Sequence, residues 1–393
     1  MSYKKLGGYI QQVNVRNRDL EVETLLGVSN TKKMIPSIAN TIGTDMSSYK
    51  IIEKRQFAYG TITSRNGDRL SVAISDQYDK ALVSQIYIVF EVIDNNDLLP
   101  EYLMMWFSRP EFDRYARFKS HGSTRESFDW EELCEVELPI PSIEKQHEIV
   151  AQYQAVENKI KVNEAICEKL EATAQALYKH WFVDFEFLND AGQSYKSSGG
   201  AMVYNQELEK EIPEGWEVKI LSDISKITMG QSPEGENYND KGNGKIFYQG
   251  RTDFGFRIPE VRIFTTLSKK NAKKGDVLMS VRAPVGDLNI ADSDCSIGRG
   301  IAALSSKESS YLFYLMKSFK SHFELSDGTG TIFSSINKDE LFNLKVIYNE
   351  NYSKDFHEKM KHIDYEIILI SKQNQKLTQL QSLLLSRLAT LEG

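Results

Sequence analysis

Residues 149–181 of the chain are IVAQYQAVENKIKVNEAICEKLEATAQALYKHW, a stretch in which seam positions return at alternating steps of four and three. After Ile149 the repeat positions are Tyr153, Val156, Ile160, Asn163, Cys167, Leu170, Ala174, Leu177 and Trp181. Neither proline nor glycine interrupts the stretch. Because this spacing places the repeat positions on one narrow stripe of a helix, the stretch predicts a coiled-coil helix.

A second stretch, near the C-terminal end of the sequence, has the same repeat. Residues 356–391 are FHEKMKHIDYEIILISKQNQKLTQLQSLLLSRLATL. The predicted seam between the two helices contains Tyr153, Val156, Ile160, Asn163, Leu170 and Leu177 of the first and Ile363, Ile367, Ile370, Asn374, Leu377, Leu384 and Leu388 of the second. The polar positions Asn163, Asn374 and Gln381 either fix the register of the pair or are merely tolerated, and the sequence favours neither alternative.

The order of the segments predicts how the two helices run. The first helix must lead away from one globular segment towards the next, and the second must return. The pair is therefore expected to be antiparallel, with approximate twofold symmetry. Between the helices, residues 189–203 are rich in glycine, serine and asparagine, which indicates a linker. Residues 212–216 (IPEGW) then contain a turn that introduces the second globular segment.

Short blocks recur in the same order in the two halves of the chain. The pairs are 61–65 (TITSR) with 278–282 (LMSVR), 102–103 with 311–312 (both YL), 131–133 (EEL) with 339–341 (DEL), and 169–170 with 376–377 (both KL). Their offsets drift from 217 through 209 and 208 to 207, as small insertions would cause. Ordered repetition of this kind indicates a duplicated fold.

Each half combines a globular segment with one of the long helices. In the first half, Phe57–Thr63, Leu70–Ser75 and Val83–Val92 are predicted strands, and Pro100–Phe118 is a predicted helix. The second half repeats this pattern. The predicted fold class is therefore mixed α/β (α+β), with two similar globular domains separated by an antiparallel pair of long coiled-coil helices. The predicted bounds are 1–142 and 213–350 for the globular domains, 143–188 and 351–393 for the helices, and 189–212 for the linker.

The composition excludes several classes of protein. At 41% hydrophobic and 26% charged residues, the chain is typical of ordered globular proteins. No apolar run approaches the roughly 18 residues that a membrane helix requires. The first residues carry two lysines without an apolar core behind them, so no secretory signal is predicted and a cytoplasmic location is expected. Three widely separated cysteines suit neither a disulfide scaffold nor a four-cysteine zinc site.

The sequence contains no recognisable catalytic motif. Residues 242–245 (GNGK) lack the earlier glycine and the following hydroxyl residue of a phosphate-binding loop. Gly328-Thr329-Gly330 lacks the third glycine of a dinucleotide fingerprint. His357 and His362 are five residues apart, which separates them around a helix rather than pairing them as metal ligands. The sequence therefore predicts a binding or organising protein without catalytic or metal-ligating residues.

Two similar domains held apart by a rigid rod suit the recognition of two short patches on a regular polymer such as DNA. The net charge is −7, but residues 143–212 alone carry 7 basic and 12 acidic groups, so the globular segments can still present basic faces. Arginine and lysine side chains are expected to contact guanine, and asparagine or glutamine side chains adenine, while lysine more often contacts phosphate.

Basic and amide side chains near predicted strand and helix ends are the candidates for DNA contact. They are Arg16, Arg18, Lys32, Lys33, Arg65, Asn66, Arg69, Arg117, Lys119, Arg125, Arg251, Arg257, Arg262, Lys269, Lys270 and Arg282. For any single one of them, a solvated charge or an ion pair is the more ordinary role. For Arg65 and Arg282, which recur at equivalent places in the repeat, the two interpretations are evenly balanced.

Further short motifs are distributed along the whole chain. They are 5–8 (KLGG), 15–17 (VRN), 100–106 (PEYLMMW), 109–114 (RPEFDR), 138–142 (LPIPS), 170–173 (LEAT), 197–200 (SSGG) and 212–216 (IPEGW). Together with the duplicated layout, they resemble the DNA-specificity subunits of type I restriction-modification systems. In the second half, 345–348 (KVIY) stand where 138–141 (LPIP) stand in the first, so the end of the second domain is less well marked.

The resemblance implies that each globular domain is a target-recognition domain for one half of a bipartite, asymmetric, double-stranded DNA sequence. It implies that the helices set the spacer between the halves and dock two copies of a DNA adenine methyltransferase subunit, to which a translocating restriction nuclease subunit can add. S-adenosylmethionine, and ATP with magnesium, are then expected on those partners, with no cofactor and no catalysis in this chain. The alternative is a coiled-coil scaffold or adaptor without a DNA role.

Overall fold

The computed structural model describes residues 3–37, 43–63, 69–121, 126–324 and 335–390. It divides into two compact units, of which unit 1 consists of Met1–Ile160 and Lys376–Gly393, and unit 2 of Lys161–Gln375. Two long helices, α4 (Ile143–Phe182) and α9 (Glu350–Arg387), contribute residues to both units. Each unit therefore combines a globular segment with parts of both helices, whereas the predicted bounds set the helices apart as segments of their own.

The globular part of unit 1 combines short strands with short helices. In its described part the strands are β1 (Tyr3–Lys5), β2 (Ile10–Val13), β3 (Leu25–Val28), β4 (Met34–Pro36), β5 (Lys50–Glu53), β6 (Phe57–Tyr59), β7 (Val72–Ile74), β8 (Lys80–Val83), β9 (Ile88–Val92) and β10 (Glu137–Pro139). Its shorter helices are α1 (Pro100–Phe107), α2 (Pro110–Lys119) and α3 (Trp130–Cys134), with 3-10 turns at Leu6–Gly8, Met46–Ser48 and Leu388–Thr390.

The strands of unit 1 form two four-stranded sheets and a separate pair, β1-β10. The first sheet has the order β2-β9-β6-β7 and is antiparallel throughout. The second has the order β4-β3-β8-β5, in which β3 and β8 run parallel. Side chains of the first sheet alternate, as the two-residue period of a strand requires. Ala58 and Val89 pack with residues of the second sheet, whereas Phe57, Tyr59 and Phe90 pack in the larger core with the helices.

Among the described residues, unit 2 has more strands than unit 1. In its described part they are β11 (Met202–Asn205), β12 (Lys210–Pro213), β13 (Glu217–Ile220), β14 (Lys226–Met229), β15 (Tyr238–Asn239), β16 (Lys245–Tyr248), β17 (Ile263–Thr265), β18 (Asn271–Ala272), β19 (Val277–Ser280), β20 (Leu288–Ile290), β21 (Cys295–Ile297), β22 (Ile301–Ser305) and β23 (Lys345–Tyr348). Its shorter helices are α5 (Leu221–Ile224), α6 (Ser309–Ser318), α7 (Lys320–Glu324) and α8 (Lys338–Phe342), with 3-10 turns at Gly235–Asn237 and Arg251–Asp253.

Unit 2 repeats the strand order of unit 1. Its antiparallel sheet β14-β22-β19-β20 corresponds to β2-β9-β6-β7, and the pair β13-β23 corresponds to β1-β10. Its five-stranded sheet contains the order β17-β16-β21-β18, which corresponds to β4-β3-β8-β5. The parallel pair recurs too, because β16 and β21 run parallel as β3 and β8 do. The duplication predicted from the sequence is thus confirmed strand by strand.

The single helix predicted over Pro100–Phe118 is two helices in the structure, so this detail of the prediction is wrong. α1 ends at Phe107 and α2 begins at Pro110. Pro110 has no N–H with which to continue the hydrogen-bond ladder, and its ring disfavours a helical conformation at the residue before it. That residue, Arg109, is extended, and its guanidinium lies 4.2 Å from the centroid of the Trp106 ring.

The segment predicted as a linker, 189–212, has regular structure. β11 and β12 pair as an antiparallel hairpin. Tyr195 stacks on Phe187 with ring centroids 4.6 Å apart, and Phe187 stacks on Trp216 at 5.1 Å. Aromatic contacts therefore order a stretch whose glycine and serine content indicated a simple connection, because composition does not show which tertiary partners a segment will meet.

Within unit 2, α4 and α9 run antiparallel, as predicted. The side-chain amide of Asn163 donates to Gln373 Oε1 at 2.8 Å and to Asn374 Oδ1 at 2.7 Å. Further along α4, the Tyr178 ring lies 5.7 Å from the ring of Phe356, which precedes Gln373 on α9. Of the predicted seam residues in this unit, Asn163 and Ile367 are buried, and the half-buried ones are Leu170, Leu177, Ile363, Ile370 and Asn374.

Within unit 1, the two long helices pack against the globular segment. Val150 of α4 and Leu385 of α9 belong to the hydrophobic core that also contains Phe57. Tyr153 hydrogen-bonds Gln381, and burial raises the pKa of Tyr153 to about 12. Of the predicted seam residues in this unit, Leu388 is buried, and the half-buried ones are Tyr153, Val156, Ile160, Leu377 and Leu384.

A buried cluster of charges joins the globular part of unit 2 to both long helices. Arg257 has 0% of its surface exposed. Its Nη1 donates to Asp364 Oδ1 on α9 at 3.0 Å, and its Nη2 donates to Glu171 Oε2 on α4 at 3.1 Å. The guanidinium also lies 4.0 Å from the centroid of the Phe313 ring. The prediction that Arg257 contacts DNA is therefore wrong, because a guanidinium without exposed surface cannot reach a base.

All three cysteines are free thiols. Cys167 and Cys295 are buried, and Cys134 is half-buried. Burial raises the pKa of each thiol, and for Cys295 it raises the pKa to about 12.

Replacing Arg257 by methionine is expected to lower the free energy of unfolding by about 3 to 5 kcal/mol. The substitution leaves the Asp364 carboxylate without its ion-pair partner and leaves Glu171 paired with Lys317 alone. Urea unfolding followed by circular dichroism measures the loss. Lys361→Met is the matched control, because Lys361 forms an exposed ion pair with Glu358 on α9. Its loss should stay within about 1 kcal/mol. Equal losses in the two variants would show that the Arg257 cluster contributes no more than a surface pair.

Candidate nucleic-acid interface

A basic cleft lies in unit 2, where the segments that follow β14, β16, β19 and β21 meet. It has a volume of about 310 Å³. The residues that carry its chemistry are Ser232, Gln249, Arg251, Arg282 and Arg299. The structure thus brings together two predicted DNA-contacting residues, Arg251 and Arg282, and adds a third arginine that the sequence analysis did not select.

Two glycines hold the wall at 298–300 against the backbone of Gln249. A Cβ atom on Gly298 would lie 3.0 Å from the Cα of Gln249, and one on Gly300 would lie 2.8 Å from the Gln249 carbonyl oxygen. The N–H of Gly298 donates to the Tyr248 carbonyl at 2.8 Å. The N–H of Arg299 donates to Ser232 Oγ at 3.2 Å. The backbone on both sides of Arg299 is therefore fixed.

Asp253 fixes the turn that follows β16 and lines the cleft. Its buried carboxylate accepts hydrogen bonds from the backbone N–H groups of Gln249, at 2.7 Å, and of Gly250, at 3.2 Å. It also forms an ion pair with Arg262 at 2.5 Å. Arg262, a predicted DNA-contacting residue, thus neutralises the carboxylate that shapes the turn after β16.

Asp287 fixes the side chain of Arg251. Its Oδ2 accepts from Arg251 Nε at 2.7 Å, and its Oδ1 accepts from Lys320 Nζ at 2.8 Å. Burial alone would raise the pKa of the Asp287 carboxyl, but the hydrogen bonds and charges of Lys320 and Arg251 together bring the pKa below its ordinary value. The carboxylate is therefore ionised at neutral pH and holds the Arg251 side chain in an ion pair.

Arg282 and Arg299 are exposed and lie on different segments of the cleft wall. Neither side chain has a hydrogen bond or ion pair to another residue that the structure describes. The backbone of Arg282 is held, because it pairs with Ser335 in an isolated antiparallel bridge. The cleft thus presents two guanidinium groups on fixed backbones, available to an anionic or hydrogen-bond-accepting ligand.

The segment between β17 and β18 carries the predicted residues Lys269 and Lys270. Both are exposed. Lys269 Nζ lies 3.5 Å from Glu234 Oε1, whereas the Lys270 ammonium makes no bond to another described residue. The Lys270 carbonyl accepts from the Ile297 N–H at 2.9 Å, which ties this segment to the end of β21 beside the cleft.

In unit 1, Lys32 occupies an interior position. Its ammonium group lies 2.6 Å from Asp113 Oδ1, and it also donates to the Phe107 carbonyl. Only 8% of its side-chain surface is exposed. Burial lowers the pKa of Lys32, against the opposing effect of Asp113. The prediction that Lys32 contacts DNA is therefore wrong, because its ammonium group is used to anchor the β3–β4 turn to α2.

The other predicted residues of unit 1 that the structure describes differ in their partners. Arg16 donates to the Ser48 carbonyl. Arg117 pairs with Glu126 at 3.1 Å, and Lys119 lies 3.8 Å from Glu132. The exposed residues without an ion pair to another described residue are Arg18, Lys33 and Arg69. Arg65, Asn66 and Arg125 lie outside the described residues.

Sequence reasoning missed Ser232, Gln249 and Arg299 as residues of the cleft. The pattern Gly298-Arg299-Gly300 between two buried strands is a usable signal, because two glycines around one arginine indicate close backbone packing with the side chain outside. Gln249 and Ser232 carry no comparable signal, since only the sheet topology brings them to Arg299.

Metal-binding and membrane-spanning features are absent from the part of the chain that the structure describes. Its histidines, cysteines and carboxylates form no group suited to holding a metal ion. None of its helices is long and apolar enough to cross a membrane.

The family of the type I restriction modification DNA specificity domain matches residues 29–172 and 213–379 of the chain. A Methanocaldococcus jannaschii protein, named as a candidate specificity subunit of the type I restriction enzyme MjaX, is 29% identical over 296 residues, which are 74% of this chain and 66% of that protein. The type I restriction enzyme HindI specificity subunit of Haemophilus influenzae is 24% identical over 432 residues, which cover 92% of this chain and 91% of that protein.

Among solved structures, the S subunit of a type I restriction-modification system from M. genitalium has a TM-score of 0.56 with this chain. The two share 15% identity, and the likeness covers 99% of this chain and 96% of that one. At this level of identity, the likeness supports the fold.

Asp253→Asn is expected to destabilise the cleft, because the neutral amide loses charge-assisted bonds to Arg262 and to two backbone N–H groups. A loss of about 2 kcal/mol in the free energy of unfolding is expected. Hydrogen exchange at the amides of Gln249 and Gly250 should become faster. The exposed Asp240→Asn serves as the control. Unchanged exchange at both amides in the Asp253 variant would contradict the assigned role.

Proposed function

The chain belongs to the type I restriction-modification DNA specificity family, and we propose that it recognises a bipartite double-stranded DNA sequence, with one half bound by each unit. Contacts to the phosphates of the DNA backbone would supply affinity, and contacts to base edges would supply specificity. S-adenosylmethionine, and ATP with magnesium, are then expected on partner subunits. The family implies a non-catalytic role for this chain.

One observation carries the proposal: the two units share one strand order but differ in the loops that this order presents. In unit 2, the turn between β21 and β22 contains Arg299. The equivalent turn of unit 1, between β8 and β9, contains Gln85 and the exposed Ile86 instead. Two domains with the same strand order but different loop residues are suited to a DNA target whose two halves differ in sequence.

The helix pair offers a surface for a protein partner. In unit 2, α4 exposes Val162 and Ile166, and α9 exposes Tyr365 and Leu369; these four residues are called the outer flank. Val162 and Ile166 lie one residue before the seam residues Asn163 and Cys167, and therefore beside the seam. The other side of the seam is occupied by the Arg257 cluster, through Glu171 and Asp364.

Exposed apolar residues at helical spacing are typical of a helix that packs against another helix. We propose that the outer flank binds a DNA adenine methyltransferase subunit, and that a full complex holds two copies. A translocating restriction nuclease subunit can join such a complex. In this proposal the chain acts in the cytoplasm, where its DNA target lies.

Introducing glutamate at both Ile166 and Leu369 is expected to prevent assembly with the methyltransferase subunit, because two charges would be buried in an apolar interface. Folding should be retained, since both positions are exposed. Size-exclusion chromatography with light scattering on co-expressed subunits measures assembly. Val203→Glu, at an exposed apolar position on β11, is the control and should assemble normally. A complete complex with the double variant would exclude the outer flank as the docking surface.

The function itself is tested by co-expressing the chain with the methyltransferase subunit encoded beside its gene and by mapping new adenine methylation in the host DNA. A single bipartite motif is expected. Exchanging the segment 226–305 for that of another family member should change one half of the motif and leave the other half intact. A stable complex that methylates no defined motif and binds all duplexes equally would overturn the proposal in favour of a scaffold.

A further inference from the structure

The arginines of the cleft in unit 2 are not equivalent. Of the arginines that line it, Arg251 is committed to Asp287, whereas Arg282 makes no side-chain bond to another described residue. Arg262, outside the lining, is committed to Asp253. Arg299 is exposed and makes no side-chain bond to another described residue. Its guanidinium therefore has all of its donors available for a ligand, whereas those of Arg251 and Arg262 already neutralise protein carboxylates.

Arg299 is also the cleft arginine whose backbone is held most closely. The flanking glycines pack on the Gln249 backbone at distances that leave no room for a Cβ atom. The Arg299 N–H is bonded to Ser232, and the Ile301 N–H donates back to the Gly298 carbonyl at 3.0 Å. Such a support suits a bidentate contact, because the planar guanidinium must meet two acceptors in a fixed geometry.

The surroundings of Arg299 favour a base over a phosphate. Gln249 and Ser232, which line the same cleft, are neutral hydrogen-bonding residues of the kind that meet base edges. Phosphate contacts need only a positive charge, and exposed lysines at the nearby segment between β17 and β18, such as Lys270, can provide it. Among the bases, guanine presents the acceptor pair O6 and N7 that an arginine fork matches in the major groove.

We propose that Arg299 is a specificity-determining residue that recognises a guanine in the half-site bound by unit 2. The proposal rests on the proposed function and adds one base to it. Because the turn between β8 and β9 has no arginine, the half-site bound by unit 1 lacks this contact.

The experiment uses the complete complex with the methyltransferase subunit and three chains: the natural one, Arg299→Ala and Arg299→Lys. Affinity is measured for duplexes that carry the methylated motif and for duplexes in which each base pair of the motif is changed in turn. For the natural chain, changing the contacted G·C pair should weaken binding by about 10- to 100-fold.

With Arg299→Ala, discrimination at that one G·C pair should disappear, while discrimination at all other positions remains. Arg299→Lys should also lose much of it, because lysine keeps the charge but not the fork. Lys270→Ala is the phosphate-type control, which should weaken binding equally for all sequences and lower the salt dependence. Melting temperatures of the variants should match that of the natural chain, since the Arg299 side chain is exposed.

Two results would overturn the inference. The first is a uniform loss of affinity in Arg299→Ala that Arg299→Lys restores, which would make Arg299 a phosphate contact. The second is relaxation at a base pair other than G·C, or in the half-site bound by unit 1. A natural complex without any sequence preference would be a different failure, because it would remove the proposed function itself before Arg299 is considered.

Discussion

The buried guanidinium of Arg257 is the interaction on which the rest of unit 2 depends. Removing a charge from water costs several kcal/mol, and the cost is offset only where opposite charges and hydrogen bonds surround it. Here one carboxylate comes from α4 and the other from α9, so the charge is compensated only when both helices and the globular segment have met. The Arg257 carbonyl also accepts from the Ile290 N–H at 2.8 Å, which ties the same residue to β20. Helix pairing and domain packing are thereby coupled in one cluster.

Each unit separates a rigid frame from the loops that it presents. The frame is a pair of sheets whose small inner residues, such as Ala58 in unit 1 and Ala303 in unit 2, allow close packing. The cleft loops are then held by specific contacts: Asp253 bonds the backbone of Gln249 and Gly250, and the glycines at 298 and 300 pack closely on Gln249. Because the backbone of these loops is held in place, an exposed side chain on them can start from a fixed position although the loop itself is not buried.

The sequence predicted those features that repeat or have a period. The heptads predicted both long helices, the order of the segments predicted their antiparallel direction, and the recurring blocks predicted the duplication that the strand orders confirm. Roles that depend on tertiary partners were not predictable. Arg257 and Lys32 resemble surface cations in the sequence, and only the fold shows the carboxylates that enclose them. Arg299 was missed for the opposite reason. Only the fold shows that its side chain forms no ion pair with a described carboxylate. For Arg65, Asn66 and Arg125, the DNA-contact expectation stays a prediction.

The state of the cysteines has a consequence for the chemical reactivity of the protein. The thiolate is the form that attacks alkylating reagents and peroxides, and burial disfavours it at Cys134, Cys167 and Cys295 by raising the pKa of each thiol. Cys167 and Cys295 are also buried, so alkylating reagents are expected to reach them slowly, whereas reaction at the half-buried Cys134 is disfavoured through its raised pKa. A cysteine placed on an exposed loop would be modified far faster than the natural three, so a spectroscopic label could be attached to one chosen loop without first removing any native cysteine.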